Sequence, residues 1–257
     1  MFGICALSII PCRKKPSSKS EMLTQLLFGE HFEILEEKNE WCYIRNAYDT
    51  YESWVNKKQI EKISKNTYKE INDSSVAYTN DLVQVITDKT DKSIFPVVVG
   101  SNLPFYKNHE CSVGETKYLY EGQVIQKPKT NKKKIIETAY LFLNSPYLWG
   151  GRSPFGIDCS GFTQIVFKLN GLKLKRDAHQ QAEQGTPLSF VEEAEPGDLA
   201  FFDNELGKIT HVGIILKERK IIHSSGKVRI DPFDHQGIFN AETRQYTHNL
   251  RIIKKMI

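Results

Sequence analysis

The sequence lacks any paired cysteine spacing. Its five cysteines stand at 5, 12, 42, 111 and 159, an odd and scattered set that does not resemble a disulfide framework and points to a reducing compartment. No CxxC or HxxxH pair supplies the local chelate that most zinc motifs use, so neither a metal nor any other cofactor is expected. Charge of one sign is lacking too. The 35 Lys and Arg against 31 Asp and Glu leave a formal net charge of +4, far below the concentrated basic surface of a nucleic-acid binder. No apolar run approaches the length of a membrane span. Neither nucleic acid nor membrane is therefore expected as a partner.

What is present is the composition of an ordinary globular protein. The 257 residues, 40% apolar and 26% charged, suffice for one large or two to three small domains with a sizeable core. The N-terminal stretch MFGICALSIIP resembles the centre of a secretory signal, but no Lys or Arg precedes it and the basic cluster Arg13 to Lys15 follows it. Pro11 stands before Cys12 where lipid attachment would require a small residue. The run therefore reads as a first β-strand of a cytoplasmic protein, with export to the periplasm or medium as the alternative.

Up to about residue 126 the chain reads as short strands between turn residues: HFEILEE, WCYIRN, ESWVN, LVQVIT, FPVVV and TKYLYEG. They are rich in β-branched and aromatic residues and spaced as small barrels require. Two all-β units are expected, at 1–62 and 63–126, since one such barrel needs about 60 residues. KPKTNKKK, residues 127–134, reads as a solvated linker leading into a helix. Beyond it, Ile135, Ile136, Ala139, Tyr140 and Leu143 recur at helical spacing, and Phe162, Ile165, Val166 and Leu169 repeat the pattern up to Asn170-Gly171. After Pro196 the pattern returns to strands, in DLAFFD, HVGIILK, KIIHSS, KVRI and LRIIKK. Helices first and antiparallel strands afterwards make 127–257 an α+β domain.

FGIDCSGF, residues 155–162, opens the second helix. A cysteine picked blindly is more often a buried core residue than a nucleophile. Here Asp158 is a favoured N-cap, which puts Cys159 at the first helical position, where the helix end favours a thiolate. Gly150, Gly151, Gly156 and Gly161 leave the surrounding backbone open to a substrate. A thiolate nucleophile also needs an oriented base. His211 opens one predicted strand and His223 closes the next, and a hairpin centred at residue 217 sets them directly opposite, with Cβ atoms about 4.5–5.5 Å apart. His211 would then take the thiol proton and His223 would fix its ring. A Cys/His/His zinc site is the rival reading, without the usual local chelate to support it.

These residues resemble a known family. SPYLWGGRSPFGIDCSGF, RDAHQQAEQG, EPGDLAFF, THVGIIL and IIHSSG look like the successive motifs of NlpC/P60 cysteine peptidases. LLFGE, WCYIR and ESWV in the preceding β segment resemble bacterial SH3 domains. The combination is similar to γ-D-glutamyl-L-diamino acid endopeptidases, which trim cell-wall peptides. The resemblance implies two small SH3-like barrels followed by a papain-like α+β domain with a triad of Cys159, His211 and His223. It implies a murein peptide substrate with a free N-terminal L-Ala, cleaved after the γ-linked D-Glu, in peptide recycling. Asp177 matches the carboxylate that receives the substrate ammonium, and Trp149, Asp158 and Ser160 match residues lining the same end of the cleft. Glu52 and Tyr78, from the SH3-like part, would close the cleft beyond L-Ala. Two alternatives are an exported hydrolase of intact peptidoglycan and an inactive peptide-binding protein.

Overall fold

The apolar N-terminal run forms two strands where one was expected. In the computed structural model, which describes residues 1–257, they are Phe2–Ile4 and Ile9–Arg13. Both join a seven-stranded antiparallel sheet in the order 22–27, 9–13, 52–56, 41–46, 31–38, 2–4 and 61–63. Strand alternation turns Ile10, Cys12, Cys42, Ile44 and Val55 to one buried side. The end strands 22–27 and 61–63 do not pair with each other. The sheet is thus open, and the closed barrel expected of this segment is not formed.

The second β segment is also open. It consists of a four-stranded sheet (94–98, 83–88, 116–119, 110–113) and a three-stranded one (102–103, 77–79, 124–125). A helix, Lys65–Asp73, stands between the two segments, and the Ser64 hydroxyl caps it by accepting from the Thr67 N–H at 3.0 Å. Periodicity did not reveal this helix because Ile71 is its sole buried residue. Ile4 and Phe28 of the first segment pack in one apolar cluster with Ile71, Ile86, Val97 and Tyr118 of the second. The chain accordingly divides into two compact units, Met1–Pro128 with Arg152–Pro154, and Lys129–Gly151 with Phe155–Ile257. The expected boundary at 62/63 falls inside the first.

The first unit contains a buried ion pair. Arg152 donates to Glu30 through both terminal nitrogens, at 2.7 and 2.9 Å, and to the Gln25 carbonyl at 2.7 Å. Both partners are at most 1% exposed. Arg152 Nε is buried without a partner, so the two terminal nitrogens carry the pairing, and removal of one partner from a buried pair of this kind costs about 3–5 kcal/mol.

In the second unit, Asn131 caps helix Lys132–Leu141 by accepting from the Lys133 and Lys134 N–H groups. The lysine-rich linker is therefore partly helical, and it is not solvated throughout. Lys132 Nζ meets Asp198 at 2.8 Å and Glu195 at 2.7 Å, because the buried Asp198 carboxylate requires a countercharge. Helix Cys159–Leu169 begins and ends where its sequence signals put it, and all eleven residues are buried. It packs on strands Ile209–Leu216 and Lys220–Ser225. These are two members of an antiparallel sheet ordered 186–188, 245–255, 199–203, 209–216, 220–225 and 227–232, with 237–240 paired to 245–255. No helix of the protein is long and apolar enough to cross a membrane.

Candidate active site

Asp158 caps the nucleophile helix as its sequence position predicts, with Oδ1 accepting from the Gly161 N–H at 2.6 Å. Its carboxylate does more. Oδ2 accepts from the Gly150 N–H at 2.8 Å, and Arg176 binds both oxygens, at 3.1 and 2.7 Å. Arg176 also donates to Ser160 Oγ at 2.9 Å. Asp158, Ser160 and Arg176 thus form one buried network under the first turn of the helix. Arg176 was missed in the sequence, although it immediately precedes Asp177.

Cys159 is 7% exposed and its thiol lies 3.9 Å from the Thr210 carbonyl oxygen, next in sequence to His211. The expected thiolate is not favoured. Burial, and then the Asp158 carboxylate, push the thiol up to about 12, and Arg176 with the Val212 and Ser160 N–H groups only partly offset this. The helix end is outweighed because desolvation penalises any buried anion. Tyr147 feels the same surroundings: burial, then Cys159 and Asp158, raise its phenol to about 12.

The two histidines meet, but not by direct opposition. The hairpin register pairs Leu216 with Lys220 and Gly213 with His223, and Glu218 and Arg219 both turn through positive φ. The turn centre lies one residue later than expected, so His223 faces Gly213 and His211 is its diagonal neighbour. A two-residue offset preserves the face of a strand. His211 Nε2 and His223 Nδ1 therefore still approach to 2.8 Å, with the rings at 87°. Gly213 permits the approach, since a Cβ there would lie 2.9 Å from the His223 Cβ and 2.7 Å from Ile221 Cδ1. Burial, reinforced by His223 and His248, holds His211 well below the usual histidine range.

Three neighbours escaped the sequence reading. Asp231 Oδ2 lies 2.9 Å from His223 Nε2, and Arg229 grips the same carboxylate through Nε at 2.7 Å and Nη2 at 2.9 Å. Arg229 faces His223 across the ladder and Asp231 lies two residues on, so KVRID carried a legible alternation once the turn at Gly226 was placed. His248 stacks on His211 with ring centroids 4.1 Å apart. Its placement depends on register shifts in strand Gln245–Lys255, which no local pattern discloses. Burial, then His223, lower His248 to about 4, against the opposite pull of Asp231. No group of three or more His, Cys, Asp or Glu side chains is placed to hold a metal ion.

The remaining predicted residues lie as follows. Trp149 is 59% exposed. Asp177 is the N-cap of the short helix Ala178–Gln181, and its N–H donates to Gln180 Oε1 at 3.1 Å. Glu52 and Tyr78 belong to the first compact unit. There Glu52 accepts from Tyr43 at 3.0 Å and Arg45 at 2.9 Å, and Tyr78 sits in strand Ala77–Thr79.

Residues 144–247 match the model of the NlpC/P60 family, and residues 12–60 match that of the bacterial dipeptidyl-peptidase Sh3 domain. The chain is 34% identical over 215 residues to a gamma-D-glutamyl-L-lysine dipeptidyl-peptidase of Bacillus subtilis, covering 78% of this chain and 71% of that protein. It is 27% identical over 250 residues to dipeptidyl-peptidase 6 of Lysinibacillus sphaericus, covering 86% and 88%. An NlpC/P60 family protein from Bacillus cereus has the same fold, with a TM-score of 0.84 at 19% identity over 100% of this chain and 99% of that one.

Proposed function

Because the chain belongs to the NlpC/P60 family, we propose that it is a cysteine peptidase hydrolysing the bond between γ-D-glutamate and a diamino acid in short murein peptides that carry a free N-terminal L-Ala. The observation that carries the proposal is Cys159 at the head of a buried helix, its thiol 3.9 Å from the carbonyl of Thr210, the residue before a His211 that is bonded to His223. The names of the relatives from Bacillus subtilis and Lysinibacillus sphaericus support the bond and the dipeptide released. Attack of the Cys159 sulfur on the carbonyl forms a thioester, and His211 carries the thiol proton to the leaving amine. Water then hydrolyses the thioester. The Cys159 N–H, at the positive end of its helix, would supply part of the stabilisation of the oxyanion.

Trp149, Asp158, Ser160 and Asp177 form the amine-recognising end in this reading. A bound ammonium needs a carboxylate and further acceptors, and loses them on acylation. Incubation with L-Ala-γ-D-Glu-L-Lys and its N-acetyl form tests this, with product measured by chromatography. The free peptide is expected to be cleaved at least about 100-fold faster, the penalty of leaving a buried charged site unpaired. Equal rates would exclude the free-amine requirement.

The finer fold reading belongs to the same proposal. The Sh3 match at 12–60 supports one SH3-like unit, and the two sheets spanning 77–125 support a divergent second. We also propose that the protein acts in the cytoplasm during peptide recycling, since five free, buried cysteines suit a reducing compartment. Fractionation of the native host is expected to recover it with cytoplasmic markers; recovery with the envelope or medium would reverse this.

A further inference from the structure

The inner face of strands Ile209–Leu216, Lys220–Ser225 and Lys227–Pro232 contains a chain of hydrogen bonds longer than a triad. It runs from His211 Nε2 to His223 Nδ1 at 2.8 Å, from His223 Nε2 to Asp231 Oδ2 at 2.9 Å, and from Asp231 to both donors of Arg229. The bonding fixes each proton in turn. A carboxylate gripped by a guanidinium is an acceptor only, so His223 must present Nε2–H to Asp231. With His223 neutral, its Nδ1 then bears the lone pair and receives a proton from His211, which puts the His211 proton on Nε2. What is left is a lone pair on His211 Nδ1.

We infer that Asp231, clamped by Arg229, is a positioning residue that sets the tautomers of both imidazoles and thereby makes His211 Nδ1 the base. During attack the thiol proton moves from Sγ to Nδ1 as the S–C bond forms. The same proton then goes to the leaving nitrogen as the C–N bond breaks. In between, the His211 imidazolium is stabilised through His223 by the Asp231 charge, and Asp231 itself stays ionised. Burial opposes that ionisation, but the hydrogen bonds from His223 and Arg229 outweigh it and hold the carboxyl below its usual value. His248, stacked on His211, contributes no link to this chain.

The inference rests on the peptidase reading only for its rate measurement. Nitrogen-15 NMR of histidine-labelled wild-type protein reads the tautomers directly, with no substrate. Both His211 and His223 are expected as Nε2–H forms; His223 as the Nδ1–H form would overturn the proposal. In Asp231→Asn the carboxylate charge is lost while its shape is retained. Turnover is expected to fall about 10²–10³-fold with KM within about threefold, as for a group that orients and stabilises a general base. Alkylation of Cys159 by iodoacetamide, followed by mass spectrometry, should slow in parallel and remains informative if the chosen peptide is not a substrate. Unchanged turnover and alkylation, or an effect on KM alone, would count against the assignment. If the variant fails to fold, the wild-type tautomers decide.

Discussion

Cys159→Ala is expected to lower kcat/KM for the γ-D-glutamyl peptide by at least about 10⁴-fold, the scale on which loss of a covalent nucleophile is felt. The substitution removes little besides the sulfur. Alanine is the best helix former, and the hydrogen bond that the thiol donates, 3.9 Å to the Thr210 carbonyl, is long. The helix is held by the Asp158 cap, by Arg176 beneath it and by the burial of its eleven residues. The melting temperature should therefore stay within a few degrees of wild type, as for a change of about 1 kcal/mol or less. Peptide binding, followed by calorimetry, should persist. Turnover that survives would place the nucleophile elsewhere, and lost turnover together with lost folding would leave Cys159 a core residue.

His211→Ala is expected to cost about 10³–10⁴ in kcat/KM, the contribution of a positioned general base. The loss is large here because the thiol begins protonated, held near 12 by burial and Asp158. Sulfur becomes a nucleophile only as its proton leaves, so the base acts in the attacking step itself. The wild-type pH profile should show it. Neutral His211 is the active form and its folded pKa is depressed below 6.5. Activity is thus present at neutral pH and lost as pH falls through the folded value, which puts the acid limb below pH 6.5. In His211→Ala that limb should vanish. An acid limb at or above pH 6.5 would mean that a different group, or a charged His211, governs the reaction.

Acid loss of activity must be separated from acid loss of structure, since His248 is lowered from 6.5 to about 4. Between these values the unfolded chain binds a proton that the folded protein does not, so stability falls as pH drops. A depression of this size corresponds to up to about 3 kcal/mol. Circular dichroism across the same pH range distinguishes the two.

Much of the site was legible because its signals are local. Asp158 at a helix start, the apolar repeat after Cys159, and the strands that carry His211 and His223 are each fixed by neighbours in sequence. Even an error of one residue in the hairpin centre left the histidines together, because it moves the register by two and side chains alternate with period two. The closed barrels failed for the opposite reason. Strand patterns name the strands, but closure depends on whether distant edges pair.

What the sequence determined by itself was therefore the succession of a β-rich half, two helices and a final set of strands, the cap that starts the nucleophile helix, and the faces on which Cys159, His211 and His223 lie. Tertiary structure alone decided that Arg176 binds Asp158, that His248 stacks on His211, and that Asp231 and Arg229 complete the chain behind His223. It also decided the protonation of the thiol. Helical and strand periods are properties of a few adjacent residues, whereas register, cross-strand partners and the desolvation that keeps Cys159 neutral arise only when distant segments exclude water from the same place.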